Sequence, residues 1–221
     1  MELAQLDRSA WPDYLDAHSG LPGPRGNIEL AVAVADLSDA AFDDVLIASG
    51  DEYRTFCGVL GLGDRAGDPA VVDRLRHLAT DERWRVREAV AMALQRLGDA
   101  DLGRLLEIVQ DWAEDPDPLV QRAAAAGVCE PRLIRSVDAA AVALHVCERA
   151  TELLARRPAE SRRDPSVRTL RQALGYCWSV AVAADPAPGL GRFAVLRDSS
   201  DPDVAWIVRE NLKKTRLTRL L

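Results

Sequence analysis

The sequence predicts an all-α fold built from helix pairs repeated in tandem, and two observations lead to that prediction. The octets DERWRVRE (81–88) and DVAWIVRE (203–210) share Asp, Trp, Val, Arg and Glu at the same spacing, 122 residues apart. Each octet opens a segment whose apolar residues recur every three or four positions, which is one face of an α-helix. Hydrophobic residues make up 48% of the chain but aromatic residues only 5%, and such small side chains suit close helix packing better than a β-sandwich.

The same helical phase recurs in five segments, each predicted to be the second helix of a pair. In the clearest of them, Asp81 is placed to cap the helix, Gly98 is placed to end it, and a stripe runs from Val86 to Leu97. The five leading residues lie at spacings of 33, 34, 47 and 41, and are Tyr53, Val86, Val120, Val167 and Val208. First helices are predicted at 39–49, 68–80, 101–112, 137–156 and 189–197. This period is typical of a right-handed α–α superhelix, an α-solenoid of about five helix pairs.

The pattern D-x-x-x-x-V-R-x-A-x-x-x-A-L resembles the HEAT repeat. It is carried by Asp81, Val86, Arg87, Ala89, Ala93 and Leu94, and parts of it recur at Asp115, Asp164 and Asp203. The resemblance implies a HEAT-like repeat domain over residues 28–221, preceded by a capping segment and Pro/Gly linker at 1–27. It also implies bonds between turn Asp and helix Arg of adjacent repeats. Because Gln121 and Tyr53 depart from the motif, we expect that ladder to be incomplete.

Composition and charge limit the classes of function. The acidic start, with Glu2 and Asp7, is not a signal peptide, and the longest uncharged run, 172–184, is too short for a membrane span. We therefore expect a cytoplasmic protein without a membrane partner. The four cysteines lie singly in apolar helical segments, which favours free, buried thiols, and we expect no metal and no organic cofactor. Residues 1–52 carry a net charge of −9, and the remaining 169 carry +2.

Trp and Arg side chains near the starts of the second helices are the binding candidates. Two interpretations are open: the residues line a groove on the concave face, or each Trp packs in a seam between repeats while each Arg bonds to a neighbouring turn. The candidates are Arg83, Trp84, Arg87, Trp112, Arg122, Trp206 and Arg209. A separate run, 156–168, holds five arginines. It is interpreted either as a solvated loop or as a site for an anionic partner.

Trp112 followed by EDPDPLVQRAA resembles the turn of the HEAT-like DNA alkylation repair glycosylases. That resemblance implies a nucleotide held against Trp side chains, an Asp four residues after the Trp, and an Arg-Arg pair in the next helix. Here the fourth residue is Pro116, and the helix reads Gln121-Arg122. Pro has no carboxylate, so the only weak catalytic candidates are the neighbouring Asp115 and Asp117.

The sequence thus favours a non-catalytic interaction module that presents its concave face to a protein or peptide. The alternative is a nucleic-acid-binding protein related to those glycosylases but without their catalytic Asp. The partner's identity and the oligomeric state are not predicted.

Overall fold

The computed structural model describes the backbone of residues 2–221 and the side chains of residues 3–221. It divides into two compact units, Met1–Ala100 and Asp101–Leu221. Within the described residues every regular element is helical, and no strand occurs. The predicted all-α fold of tandem helices is therefore confirmed. None of the helices in residues 2–221 combines the length and apolar character that crossing a membrane requires.

The first unit contains six α-helices. They are α1 (Trp11–His18), α2 (Ile28–Leu37), α3 (Ala40–Ala48), α4 (Glu52–Gly61), α5 (Pro69–Leu78) and α6 (Trp84–Ala100). Helix α4 packs against α2, α3 and α6, so its apolar stripe is covered on several sides. Leu60 of α4 and Leu94 of α6 are fully buried in this contact. Burying one such side chain stabilises the fold by roughly 1.5–3 kcal/mol.

The second unit contains seven α-helices. They are α7 (Leu102–Ala113), α8 (Pro118–Val128), α9 (Val137–Ala155), α10 (Pro165–Ala184), α11 (Pro186–Arg197), α12 (Pro202–Asn211) and α13 (Thr215–Thr218). Helix α10 is the centre of this unit and packs against α8, α9, α11 and α12. Its buried Trp178 donates an indole N–H to the hydroxyl of Thr151 at 3.0 Å. This indole N–H is thereby hydrogen-bonded, as a buried indole requires.

Asp-Pro dipeptides begin five of the helices: α5, α8, α10, α11 and α12. Pro is suited to the first helical position because its missing N–H would have no partner there in any case. The preceding Asp side chain accepts a backbone N–H in three cases, Asp68, Asp117 and Asp201. These signals are local in sequence, so they favour the helix starts without help from tertiary contacts.

Two local predictions were wrong. Gly98 was expected to end its helix, but α6 continues through this buried glycine to Ala100. Asp203 was expected to stand in front of its helix as Asp81 does. Instead α12 begins at Pro202 with Asp201 as its cap, so Asp203 lies in the first turn because the Asp-Pro start overrides the octet's register.

All four cysteines are free and buried, as predicted. The Sγ atoms of Cys129 and Cys147 lie 3.6 Å apart in the second unit. Among the described residues, no group of three His, Cys, Asp or Glu side chains is arranged to hold a metal ion. The boundary predicted at residue 27 stays a prediction, since the division into units falls at residue 100.

Candidate binding site

Trp84 is the first residue of α6, and its side chain is 48% exposed. It lies at the edge of a cavity of about 190 Å³, which we call the Trp84 pocket. The pocket is lined by Pro24, Arg25, Gly26, Ile28, Tyr53, Phe56, Trp84, Arg85, Glu88 and Met92. Ile28, at the start of α2, is also exposed, by 52%. An exposed indole beside an exposed isoleucine is an apolar surface available to a ligand.

Arg83 and Arg87, of which only Arg87 recurs in the second octet, hold the turn from which Trp84 projects. The Arg83 guanidinium donates to both carboxylate oxygens of Asp81, at 2.9 and 2.7 Å. It also donates to the carbonyl of Gly50 at 2.9 Å. Arg87 donates to the carbonyl oxygen of Asp81 at 2.6 Å. For these two arginines the structure favours the interpretation of a bond to a turn.

Arg85 is a site residue that the sequence analysis missed. Its guanidinium lies 4.5 Å from the centre of the Trp84 ring, a cation–π contact. It donates to Glu52 at 3.1 Å and to the carbonyl of Gly23 at 3.1 Å. Arg85 therefore orients the indole from one side. The available signal was its position next to the repeated Trp.

Tyr53 and Phe56 of α4 form the floor of the Trp84 pocket. Their rings are nearly parallel, with centroids 6.2 Å apart. The Tyr53 hydroxyl donates to the carbonyl of Asn27 at 2.6 Å, and burial raises the pKa of this phenol well above its ordinary value. The phenol is therefore neutral at physiological pH. Tyr53 was predicted to lead an apolar stripe, and both residues are buried while also lining the pocket.

A second cavity of about 400 Å³ adjoins the first, and we call it the acidic pocket. It is lined by Asp16, Ser19, Leu21, Pro22, Asp51, Glu52, Tyr53 and Arg85, so it shares Tyr53 and Arg85 with the Trp84 pocket. Arg54 donates from Nε to Asp16 at 2.8 Å, and this hydrogen bond lowers the pKa of the Asp16 carboxyl. Asp16 is therefore ionised at neutral pH.

In the second unit, Trp206 occupies the position in the octet that corresponds to Trp84, but its surroundings differ. A methyl group added at Gly175 of α10 would lie 2.9 Å from the Trp206 ring, so α10 and α12 approach closely here. The Arg171 guanidinium lies 4.7 Å from the ring centre. Trp206 is half-buried in this seam. For Trp206 the structure favours seam packing over a groove.

The remaining candidates divide by exposure. Arg122 is 8% exposed and lies within α8. Arg209 is exposed, and its side chain has no hydrogen bond or ion pair with the described residues. Of these two arginines, Arg209 is therefore the more accessible to a ligand.

The Trp112 turn does not present an open face. Trp112 is 1% exposed, so a base could not stack on its ring without a rearrangement of α7. Asp115 accepts the backbone N–H of Asp117 at 2.8 Å, and Asp117 accepts that of Leu119 at 2.8 Å. Both weak catalytic candidates thus cap the start of α8.

Gln121 takes the structural role that Arg87 has in the preceding pair. Its amide donates to the carbonyl of Asp115 at 2.7 Å, which repeats the bond from Arg87 to the carbonyl of Asp81. Both bonds span six residues. Gln121 therefore departs from the motif in side-chain type, but its amide makes the same bond to the turn carbonyl that the Arg87 guanidinium makes.

Helix pairs with Asp-capped turns, closed by Arg87 or Gln121, give this part of the chain the form of tandem helical repeats. Residues 48–129 match the family model described as HEAT repeats, so the resemblance to that repeat is confirmed over this segment. The crystal structure of AlkD2 from Streptococcus mutans is similar, with a TM-score of 0.70 and 15% identity over 94% of this chain and 98% of that chain. An engineered protein covers 87% of this chain and 90% of its own length at 18% identity, with a TM-score of 0.34. No curated protein matches the sequence.

Proposed function

We propose that this protein is a non-catalytic interaction module that captures a peptide segment of a protein partner at the Trp84 pocket. The observation that carries the proposal is the 48% exposure of Trp84 above a pocket with an apolar lining. Tryptophan is enriched among the residues that dominate binding energy at protein interfaces. Covering it would remove apolar surface from water, at roughly 25 cal/mol per Å².

The size of the Trp84 pocket favours a single anchoring side chain. Its volume is about 190 Å³, below the ~300–1,000 Å³ typical of pockets for cofactors and drug-sized ligands. The lining side chains Tyr53, Phe56 and Met92 are apolar on the surfaces they can offer. An aliphatic or aromatic side chain of the partner is the occupant that this lining supports.

The adjoining acidic pocket supports a basic residue next to that anchor. Asp16, Asp51 and Glu52 line it. Arg54 pairs with Asp16 and Arg85 with Glu52, so Asp51 is the lining carboxylate without an ion pair among the described residues. The first unit as a whole contains eighteen Asp and Glu against ten Arg, a net charge of −8. Because complementary charge directs encounter and register, we propose a partner segment in which an apolar residue is followed by Lys or Arg. We place this function in the cytoplasm.

Fluorescence titration with short peptides tests the proposal. The peptides carry one Leu or Phe followed by Lys-Lys, Gln-Gln or Glu-Glu, and the expected order of affinity is basic, neutral, acidic. Trp84→Ala is expected to weaken binding of the basic peptide by about tenfold or more, which is ~1.4 kcal/mol. The circular dichroism spectrum of the variant is expected to stay unchanged. Trp206→Phe is the matched control and is expected to bind the basic peptide with the affinity of the wild type. Equal binding by wild type and Trp84→Ala would contradict the proposal.

Nucleic-acid binding is the second candidate function. The fold likeness to AlkD2 and the glycosylase-like sequence at Trp112 support it, whereas the burial of Trp112 and the charge of the first unit weigh against it. The test is binding to short duplex and single-stranded DNA at low and at moderate salt. Phosphate contacts weaken as salt rises, so an absence of salt-dependent binding at low ionic strength would remove this candidate.

A further inference from the structure

An arginine-lined cavity of about 510 Å³ lies in the second unit, and the interaction proposed above does not use it. We call it the arginine pocket. It is formed where the 3-10 turn Ser161–Arg163 and the starts of α10 and α12 come together. Its lining is Ala159, Arg162, Arg163, Arg168, Arg171, Gln172, Pro202 and Asp203. Four guanidinium groups around one cavity concentrate positive charge far beyond the average of this chain.

Two of the four arginines are fixed in place by carboxylates. Arg162 donates to the carboxylate of Asp201, and its Nε donates to the carbonyl of Arg157 at 2.9 Å. Arg171 donates to Asp203 at 2.5 Å. These bonds hold the guanidinium planes before any ligand arrives, which lowers the entropic cost of binding.

The other two arginines have no partner within the described chain. The side chains of Arg163 and Arg168 are exposed, and neither makes a hydrogen bond or ion pair with another described residue. In addition, the Nε of Arg171 is buried and has no hydrogen-bond partner among the described residues. A buried donor without an acceptor is unfavourable, and it belongs to a guanidinium that lines the cavity.

The charge balance of the arginine pocket selects the kind of anion. Four guanidiniums face the two carboxylates Asp201 and Asp203, which leaves an excess of two positive charges. The carboxylates of Glu160 and Asp164 are nearby in sequence but do not line the cavity. A phosphate monoester carries about −1.5 to −2 charges at pH 7, whereas a phosphodiester or a carboxylate carries about −1. The Arg fork also matches phosphate oxygens in pairs.

We propose that the arginine pocket binds a phosphate monoester dianion, with Arg163 and Arg168 closing on it against the fixed Arg162 and Arg171. The group could be carried by a small molecule or by a phosphorylated side chain, since the pocket recognises the phosphate itself.

Calorimetric titration with three probes tests this proposal on the full-length chain. The probes are inorganic phosphate, a Gly-phosphoserine-Gly tripeptide, and an oligothymidylate without terminal phosphates. Phosphate and the tripeptide are expected to bind at one site. Equal affinities would mean that the pocket recognises the phosphate group alone. A higher affinity for the tripeptide than for phosphate would indicate a phosphorylated protein as the source. Binding of the tripeptide should strengthen between about pH 5 and about pH 7, as the second phosphate proton is lost.

The double variant Arg163→Ala/Arg168→Ala is expected to weaken phosphate binding by about tenfold or more, because it removes two charge-assisted hydrogen-bond donors. Arg197→Ala, which removes another exposed and partnerless arginine of the second unit, is the matched control and should leave binding unchanged. An equal loss in both variants, or an oligothymidylate that binds more tightly than phosphate, would overturn the proposal. Peptide capture at the Trp84 pocket is measured separately, so failure of one proposal is distinguishable from failure of the other.

Discussion

Arg83 shows at the scale of one residue how this fold joins successive helices. Its guanidinium reaches Asp81 in its own turn and the Gly50 carbonyl in the turn before α4, 33 residues earlier. It also donates to the hydroxyl of the fully buried Thr55 at 3.2 Å. The neighbouring Trp84 has no comparable link to the core and is available for binding. Adjacent residues of one octet therefore serve stability and the proposed recognition separately.

Arg83→Ala is expected to lower the free energy of unfolding by about 1–2 kcal/mol, because the carbonyl of Gly50 and the hydroxyl of Thr55 lose their donor. Arg209→Ala, at the corresponding helix of the second octet, removes an exposed arginine without a partner and should change stability by less than about 0.5 kcal/mol. Urea denaturation followed by circular dichroism measures both. Equal effects of the two substitutions would show that the Arg83 bonds do not stabilise the fold.

The Asp81 carboxyl supplies a pH-dependent contribution to stability. Hydrogen bonds from Arg83 lower the pKa of this carboxyl below its usual value. A folded-state pKa below the unfolded value, about 3.9 for Asp, gives stability that is present above that pH and lost as the pH falls through the folded pKa. The stability difference between wild type and Asp81→Asn should therefore be largest near about pH 7 and shrink below about pH 4. A difference that grows in acid would contradict this assignment.

At the scale of helices, the contact of α10 with α12 depends on one buried amide. Asn211 is fully buried; its Oδ1 accepts the backbone N–H of Ser179 at 2.8 Å, and its Nδ2 donates to the carbonyl of Leu174 at 2.9 Å. The last residue of α12 thus bonds to two backbone groups in the middle of α10. Gly175 lies between them, where the Trp206 ring leaves no room for a side chain. Polar bonding and close approach together fix the register of the two helices.

Asn211→Ala is expected to lower the free energy of unfolding by about 2–3 kcal/mol, because it removes these bonds inside the core. Glu210→Ala is the matched control one residue earlier. Its carboxylate pairs with the exposed Lys213 at 2.6 Å, and exposed pairs of this kind contribute only about 0–1 kcal/mol. Thermal and urea unfolding of the two variants provide the comparison. A loss no greater than that of Glu210→Ala would mean that the amide is not needed at the α10–α12 contact.

At the scale of the molecule, charge is distributed unevenly between the two compact units. The first unit carries −8 and the second +1. The proposed peptide site lies in the acidic unit, and the proposed phosphate site lies in the other. Ligands of opposite charge would therefore be bound in different parts of one chain. Each proposed site uses only residues of its own unit.

In helical-repeat proteins each repeat contacts mainly its neighbours, so stability is local rather than uniform. Asn211→Ala should therefore reduce the hydrogen-exchange protection of amides in α10 and α12, while amides in α4 and α6 change by less than about 0.5 kcal/mol in opening free energy. Native-state hydrogen exchange read by mass spectrometry measures this by segment. A uniform loss of protection through both units would show that the chain unfolds as one cooperative body.

The sequence by itself determined the architecture. Helical periodicity and the recurring motif are local properties, and they placed all five second helices around Tyr53, Val86, Val120, Val167 and Val208. The sequence did not predict that α6 continues past Gly98 to Ala100. Gly98 is buried, and this tertiary packing is not visible in the local pattern.

Only the tertiary structure decided whether each repeated Trp side chain is exposed or packed between helices. The same octet residue opens onto a pocket at Trp84 but packs into a seam at Trp206, because α10 approaches Trp206 closely at Gly175. Likewise, the sequence left the run of arginines at 156–168 open between a solvated loop and an anion site. Asp201 and Asp203, at the start of α12, hold Arg162 of this run and Arg171 of α10 beside one cavity. Periodicity is encoded along the chain, whereas exposure and charge pairing depend on segments distant in sequence.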